Sequence, residues 1–447
     1  MKQNIFLITI DALRSDYIYN HNGNLHPFLS DLMDDSLVFK NTISPASPTA
    51  LAFPGLFANL SALEAKKKGG GIPPSSKTLA EKFNDLGYFT IGFSNNPHLT
   101  RIQGYDKGFD YFYDGLGHNT DLNKKDKFKI KKTRDTGDLN IKKKVMHTIK
   151  KEFDISLKRG KHIFGPLLNL INVRGYEPFP SLFKKIKNIL DKYPKKRPLF
   201  LWAHIMEVHS PYYISPDIFS KLGEKKIPRW EQQWLRHKRL NAKLLDGEYL
   251  SYKEMEKIKI LYRCGIREVD SYLNQFFNYL KMNDFLDNGC LALTSDHGDN
   301  LGDHQLTGHA DIYNSVLKVP LLIYNRNNNE QVDDVFSNIH LGKLLLDIAK
   351  NKSLKKQLDN YTGMAISMRG RKYAIQDRKY KILWESDSGK KRYYELTDGY
   401  ESRQITNPKG HELSHLNKLF LNLESHINQI NDEEKEKITG ALNKISL

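Results

Sequence analysis

The stretch "GCLALTSDHGD" (289–299) decides the fold of this chain. Its apolar run ends in Asp296 and His297, a pattern typical of a strand that is covered on both faces of a sheet. Four other runs have the same form, namely "NIFLITID" (4–11), "YFTIGFSNN" (88–96), "PLFLWAHIMEVH" (198–209) and "VPLLIYN" (319–325). Helical patterns separate them, so we predict an α/β fold with a mostly parallel central sheet and helices on both faces.

Two helical segments of the main domain have readable boundaries. In "SSKTLAEKFNDLG" (75–87) we expect a serine to cap the N-terminus and Gly87 to end the helix. The stretch 258–284 carries an apolar stripe over a longer helix.

The pattern changes after about residue 350. "RKYAIQDRKYKILWE" (371–385) and "KKRYYELTDG" (390–399) alternate like half-exposed strands, and 410–447 is typical of a terminal helix. We therefore predict a catalytic domain over 1–350 and a small α+β C-terminal subdomain over 351–447.

Charge and cysteine content limit the setting in which the protein works. The 447 residues carry a formal charge of +17, and 121–161 alone holds 15 Lys/Arg against 6 Asp/Glu. This basic insertion, about 118–175, could lie on an anionic membrane surface, whereas no zinc-finger or RNA-binding pattern accompanies it, so nucleic acid is an unlikely partner. Two cysteines and the lack of a secretory signal or a long apolar span predict a cytoplasmic protein, peripheral at most to the inner membrane face.

Polar residues follow several of the predicted strands. Asp11, Asn95, His209 and Asp296 all stand at carboxyl ends of strands, the edge at which ligands bind in such sheets. Carboxylate and imidazole groups suit Zn²⁺, Mn²⁺ or Mg²⁺, so Asp11, Asp296 and His297 are candidate metal ligands.

A metal centre of this kind needs a nucleophile beside it. The segment "NTISPASPTALAFPGLFANL" (41–60) places Ser44, Ser47 and Thr49 before a helical run, where the helix N-terminus favours negative charge. Any of the three hydroxyls could be the nucleophile, or could simply cap the helix.

At this point the chain resembles the sulfatase branch of the alkaline phosphatase superfamily. The resemblance rests on segments in the family order: "NIFLITIDALRSD", "LHPFLSDLMDDSLVFKNTISPASPT", "LAEKFNDLGYFTIGFSNNPHL" with "GYDKGFDYFYD", "LFLWAHIMEVHSPYY", "LTSDHGDNLGDHQLTGHADIYNSVLKVPLLIY" and "RKYKILWE…YYELTDGYESRQITN". It implies an alkaline-phosphatase-like sandwich and one divalent cation, Mn²⁺, Zn²⁺ or Mg²⁺, with Ca²⁺ as a further option.

The resemblance also implies residue roles. It places Thr49 at the nucleophile position, and Asp11, Asp296 and His297 with Thr49 at the metal. His209 and His309 match catalytic positions on the substrate side. Asn95 stands at the position of a substrate-binding lysine.

Several residues depart from the pattern of sulfatases. Their nucleophile is a Cys or Ser that is oxidised to an aldehyde, which Thr49 cannot become because its β-carbon bears a methyl group. Ala12 replaces a second metal-binding Asp, Leu51 a Pro and Phe53 an Arg, and His297 stands where many sulfatases have Asn. In these features the chain is similar to the phosphoglycerol and phosphoethanolamine transferases of the superfamily, which use Thr directly.

Three functional hypotheses follow. The main one is a metal-dependent enzyme that cleaves or transfers a phosphate ester through Thr49, with His209 or His309 as general acid. The alternatives are a sulfuric ester hydrolase and a non-catalytic relative that binds a polyanion or glycan. The expected substrate is a small-molecule, glycan or lipid ester, and we assign supporting roles to the remaining polar residues near the site, His204, His304, Asp299 and Asp303.

Overall fold

We describe the fold from a computed structural model of the chain. It describes residues 2–21, 23–67, 70–115, 176–242, 250–309, 311–325, 329–353 and 357–445. The strands of the main sheet and its flanking ribbon are β1 (Asn4–Ile10), β2 (Ser36–Ile43), β3 (Phe89–Phe93), β4 (Tyr111–Tyr113), β5 (Leu199–Ile205), β6 (Gly289–Thr294), β7 (Asn300–Leu301), β8 (Thr307–Gly308), β9 (Lys318–Tyr324) and β10 (Gln331–Ser337). The C-terminal strands are β11 (Ala365–Arg369), β12 (Lys372–Gln376), β13 (Tyr380–Glu385), β14 (Lys391–Thr397) and β15 (Tyr400–Ile405).

The described α-helices alternate with these strands through the first part of the chain. They are α1 (Asp16–Tyr19), α2 (Pro27–Asp34), α3 (Thr49–Ala58), α4 (Ala62–Lys67), α5 (Leu79–Asp85), α6 (Phe179–Leu190), α7 (Pro216–Lys221), α8 (Arg229–Ala242), α9 (Tyr252–Met282), α10 (Asn314–Leu317), α11 (Leu341–Ala349) and α12 (Gly410–Ile445).

The main sheet has the strand order β10-β2-β9-β6-β1-β5-β3-β4. All neighbouring pairs are parallel except those of β9, which runs antiparallel to both β2 and β6. β1 lies near the centre, paired in parallel with β5 on one side and β6 on the other. The carboxyl ends of these three strands therefore meet at one edge of the sheet, which is where the candidate site lies.

Apolar side chains on both faces of β1 explain its central place. Phe6, Ile8 and Ile10 face a core that includes residues of α2, α6 and α9. Ile5 and Leu7 face the opposite core, which includes residues of α3, α5 and α11. Burial of each such side chain stabilises the fold by roughly 1.5–3 kcal/mol relative to exposure, so the run can only be an inner strand.

The C-terminal strands form a separate antiparallel sheet in the order β11-β12-β13-β14-β15. α12 packs against one face, where Ile375 and Ile382 contact Leu416 and Leu423. On the other face, residues such as Leu383 join a core with the 312–317 segment of the main domain. The division of the chain at residues 350–351 remains a prediction.

All five predicted apolar runs are strands, and the mostly parallel sheet with helices on both faces is confirmed. The predicted serine cap of 75–87 is wrong, because Thr78 forms a capping box with Glu81 and α5 begins at Leu79. A capping box satisfies two backbone N–H groups at once, which a serine further upstream cannot do. β2 and β10 were not expected from the sequence.

The basic insertion at 118–175 lies outside the described residues, so its binding to an anionic surface remains a prediction. Among the described helices, none combines the length and the apolar character that a membrane crossing requires.

Candidate active site

The three metal-ligand candidates follow two neighbouring strands. Asp11 directly follows β1, and Asp296 and His297 follow β6. One side-chain ligand atom from each of the three residues lies within 4.8 Å of the others, and all three residues are buried. We call these three residues, together with Thr49, the cation cage.

Two carboxylate oxygens in the cation cage lack a hydrogen-bond donor. Asp11 Oδ1 and Asp296 Oδ2 are buried, and neither has a hydrogen-bond partner among the described residues. The His297 Nε2 atom lies 3.8 Å from Asp11 Oδ1 and 3.5 Å from Asp296 Oδ2. Buried carboxylate oxygens are costly unless a positive charge compensates them. Two such oxygens and one imidazole nitrogen fit a divalent cation.

The orientation of the His297 ring suits a metal ligand. Its Nδ1 atom lies 2.8 Å from the carbonyl oxygen of Gly298, so Nδ1–H donates and the Nε2 lone pair faces the carboxylates. Burial lowers the pKa of His297, but the Asp296 and Asp11 carboxylates outweigh burial and the pKa lies above its ordinary value. The same negative field that attracts a proton here would attract a cation.

Thr49 is the hydroxyl that lies beside the three metal-ligand candidates. It is the first residue of α3, and its Oγ1 atom lies 3.2 Å from His297 Nε2. The other two candidate hydroxyls point elsewhere: Ser44 donates to the carbonyl oxygens of Ala46 and Asp296. Ser47 donates to the carbonyl oxygen of His309 at 2.6 Å. The nucleophilic role of Thr49 remains a prediction, but the structure brings it to the predicted ligands.

His209 and His309 lie next to the cation cage. Their ring centroids are 5.5 Å apart, and the His309 ring stacks on the His297 ring at 4.6 Å. Burial raises the pKa of Asp11, but His209 and His204 outweigh burial and the pKa lies below its ordinary value. The two histidines are thus close enough to the cage to act on a bound ester.

Asn95, the predicted substrate-binding residue, directs its amide nitrogen to the carbonyl oxygen of Glu177. The neighbouring Asn96 instead contacts the cage, because its Nδ2 atom donates to Asp11 Oδ2 at 2.8 Å. His204 Nε2 lies 3.3 Å from the same oxygen, in keeping with a supporting role. The sequence analysis did not identify Asn96, although it stands beside Asn95 at the same strand end.

The model of the Sulfatase family matches residues 3–351, well over half of the chain. The chain belongs to the sulfatase family. Members of this family are metal-dependent ester hydrolases, so the prediction of an enzyme acting on ester bonds is confirmed, and the cation cage is where this sulfatase could hold its metal.

Individual proteins resemble this chain over nearly its whole length. An arylsulfatase from Clostridium perfringens is 23% identical over 479 aligned positions, which cover 91% of this chain and 90% of that protein. The phosphonate monoester hydrolase of Agrobacterium radiobacter is 17% identical with a TM-score of 0.66, covering 95% of this chain and 96% of that one. A protein solved with its substrate D-glucosamine-2-N,6-O-disulfate is 15% identical with a TM-score of 0.68, covering 97% and 99%. These similarities confirm the alkaline-phosphatase-like fold.

Beside the cage of the sulfatase lies a group of charges that are paired with one another. Arg14 contacts Asp16 at 2.7 Å and Asp303 at 2.5 Å, and Arg239 pairs with Asp299. We call these five residues the ion-pair cluster. Asp299 and Asp303 are thus paired with arginine side chains of the chain itself, in keeping with the supporting roles predicted for them.

The C-terminal sheet of the sulfatase contacts the loops that carry the metal-ligand candidates. The Tyr400 hydroxyl accepts from the backbone N–H of Asp16 at 3.1 Å. Glu401 accepts from the backbone N–H of Asn314 at 3.0 Å. The Nε2 atom of His304 lies 4.0 Å from the Glu401 carboxylate, and the His304 ring stacks on the Tyr313 ring with centroids 3.7 Å apart. One turn of the small sheet therefore supports the segments that follow both β1 and β6.

Proposed function

We propose that this sulfatase hydrolyses sulfate esters at the cation cage, with Thr49 as nucleophile. The observation that carries the proposal is the pair of buried carboxylate oxygens, Asp11 Oδ1 and Asp296 Oδ2, that face His297 Nε2 beside the Thr49 hydroxyl. The family assignment and the arylsulfatase relative support the sulfuric ester, which the sequence analysis kept as an alternative, better than the phosphate ester that it preferred.

The cage residues would hold one divalent cation, for which Mn²⁺, Zn²⁺, Mg²⁺ and Ca²⁺ are the candidates. Such a cation, when bound, activates the Thr49 hydroxyl and neutralises charge on the non-bridging oxygens of the ester. Asp11 and Asp296 supply oxygen ligands, and His297 supplies Nε2. Asn96 and His204 hold Asp11 in place through its other oxygen.

The chain's own residues supply the remaining steps. The Thr49 hydroxyl loses its proton to solvent, and its oxygen forms a bond to sulfur while the bond from sulfur to the leaving oxygen breaks. His209 or His309 gives a proton to that leaving oxygen and then takes one from an incoming water. The water oxygen attacks sulfur, the bond from sulfur to the Thr49 oxygen breaks, sulfate departs, and the Thr49 oxygen regains a proton from solvent. Asn95, the residue before Asn96, is the proposed contact to the substrate.

A phosphate or phosphonate ester is the second candidate, and one observation favours it. The β-carbon of Thr49 bears a methyl group, so the residue can act only as a hydroxyl and not as the aldehyde of other sulfatases. Without an aldehyde hydrate, a sulfo-threonine cannot release sulfate by cleavage of its carbon–oxygen bond, so water must attack sulfur itself. A phosphonate monoester hydrolase shares this fold, and transfer to an acceptor other than water would use the same intermediate.

A protein of the same fold indicates a substrate class for this chain. One protein of the same fold takes a sulfated glucosamine. We propose a small-molecule or glycan ester for this chain as well.

A screen of four esters with each of the four cations tests the proposal. The esters are 4-nitrophenyl sulfate, 4-nitrophenyl phosphate, bis(4-nitrophenyl) phosphate and 4-nitrophenyl phenylphosphonate. We expect the sulfate to give the highest kcat/KM. Turnover of the phosphorus esters without any sulfate hydrolysis would establish the second candidate instead.

Variants of Thr49 test the nucleophile in the same screen. Thr49→Ala should lower kcat by about 10³-fold or more, because no hydroxyl remains to attack, while the protein still binds the cation. Thr49→Ser, which keeps the hydroxyl, is the matched control and should retain measurable turnover. Full activity of Thr49→Ala would remove Thr49 from the reaction.

A further inference from the structure

The hairpin β11–β12 of the C-terminal sheet lies against the loop that carries Thr49. The backbone N–H of Met368 donates to the carbonyl oxygen of Pro45 at 3.0 Å. The Ser367 hydroxyl donates to the carbonyl oxygen of Ser44 at 2.6 Å. Arg369, the last residue of β11, therefore follows directly on two residues that contact the nucleophile loop.

The same hairpin reaches the segment that follows His309. Lys372 pairs with Arg369 across the hairpin, and its Nζ atom lies 3.0 Å from Asp311 Oδ2. Asp311 is two residues from His309, whose carbonyl oxygen accepts from Ser47. Arg369 thus stands where two loops of the candidate active site approach the small sheet.

Arg369 has a donor that nothing in the described chain uses. Its Nη1 atom is buried and has no hydrogen-bond partner among the described residues. Two cations, Arg369 and Lys372, share the single carboxylate of Asp311, which is already bonded to the lysine. Burial lowers the pKa of Arg369, but a guanidinium stays protonated at neutral pH. A buried, charged donor of this kind is costly without an acceptor.

Arg369 and the cation cage belong to different sheets. Arg369 ends β11 of the small sheet, whereas Asp11 and Asp296 follow strands of the main sheet. The carboxylate whose charge acts on the Arg369 guanidinium is Asp311, in the segment that follows His309. We therefore assign Arg369 to a part of the substrate other than the scissile ester group.

We propose that Arg369 binds a second anionic group of the substrate, a carboxylate or sulfate on the same molecule as the scissile ester. A planar guanidinium fork matches either group. The inference rests on the proposed function and narrows it, because it makes the natural substrate a molecule with at least two negative charges.

A series of aryl sulfates tests this inference, with the same series made as aryl phosphates. The parent ester carries no other charge, and the other members carry a carboxylate on linkers of increasing length. In the unchanged protein we expect one linker length to lower KM below that of the parent. In Arg369→Gln that advantage should be lost, with KM for this member rising about tenfold, as expected for a charge-assisted hydrogen bond.

Arg371→Gln is the matched control, because Arg371 lies on the same hairpin but is exposed and pairs with Asp387 at 2.8 Å. It should leave the preference unchanged, and Arg369→Lys, which also guards against misfolding of the glutamine variant, should retain part of it. The inference is overturned if no linker lowers KM or if the preference survives in Arg369→Gln. Absence of turnover for both parent esters would instead overturn the proposed function itself.

Discussion

The cation cage and the ion-pair cluster contain similar residues but treat their charges in opposite ways. In the ion-pair cluster, Arg14 and Arg239 supply the positive charge that Asp303 and Asp299 need. In the cation cage, Asp11 and Asp296 form no ion pair with a Lys or Arg among the described residues, and each keeps one buried oxygen without a donor. Asp299 of the cluster also keeps one such oxygen, but Arg239 compensates its charge. Acids paired with arginine stabilise the fold, whereas buried acids without such a counter-charge indicate where an external cation binds.

Neutralising a cage carboxylate gives the largest expected effect. Asp296→Asn should lower kcat by about 10³-fold, because it removes a ligand of the group that stabilises the transition state. It should also abolish the stabilisation that a cation gives to the unchanged protein, about 2.7 kcal/mol at a cation concentration of 100 Kd. Thermal unfolding with and without Mn²⁺, together with metal analysis, measures both effects.

Asp303→Asn is the control from the ion-pair cluster. It should lower stability, because Arg14 loses a partner, yet retain the full thermal response to the cation. If both variants respond to Mn²⁺ alike, the distinction between cage and cluster fails.

Breaking one pair of the cluster should instead act on stability. Arg239 and Asp299 are both almost completely buried, with side chains 5% and 2% exposed. Arg239→Met leaves the Asp299 carboxylate buried without its cation, which should cost about 3–5 kcal/mol of unfolding free energy. Urea unfolding measures the loss, and the double variant Arg239→Met/Asp299→Asn should recover part of it. A single variant as stable as the unchanged protein would mean that the pair contributes no more than a surface contact.

This contrast also explains what the sequence could reveal. The inner strands were predictable, because a nearly continuous apolar run such as Asn4–Ile10 is buried most readily as a strand covered on both faces, in the middle of a sheet. The direction of β9 was not, since an apolar run carries no information on whether it pairs in parallel with its neighbours. β2 was missed because its run is interrupted by Lys40 and Asn41.

Within the site, residue type alone was a weaker guide. Asp296, Asp299 and Asp303 have the same side chain within eight positions, and the place of Asp296 at the end of an apolar run, not its chemistry, distinguished it from the other two. Only the fold shows that Asp299 and Asp303 form ion pairs with arginines from remote segments of the chain. Asn95 and Asn96 are likewise equivalent in sequence, and the end of β3 decides which of them faces Asp11.

The buried charge of Lys318 is compensated less fully than the charges of the ion-pair cluster, but it is not left without a hydrogen-bond partner as two oxygens of the cation cage are. It is 5% exposed, and its amine donates to the backbone carbonyl of Asp398 and lies 4.8 Å from the Tyr400 ring centroid. By contrast, the buried Lys381 contacts the Glu401 carboxylate at 2.7 Å. Burial lowers the pKa of Lys318 from 10.5 to about 8, because no carboxylate of the described residues forms an ion pair with it.

The smallest expected effect follows from that lowered pKa. Between pH 8 and pH 10.5 the unfolded chain keeps a proton on Lys318 that the folded chain has lost, so this residue makes stability rise with pH in that window. Below about pH 8 both states are protonated and the destabilisation is complete. From pH 7.5 to 9.5 the unchanged protein should therefore gain about 2 kcal/mol more unfolding free energy than Lys318→Met. Urea unfolding at the two pH values measures the difference, and equal changes in both proteins would mean that Lys318 is compensated as fully as the charges of the ion-pair cluster.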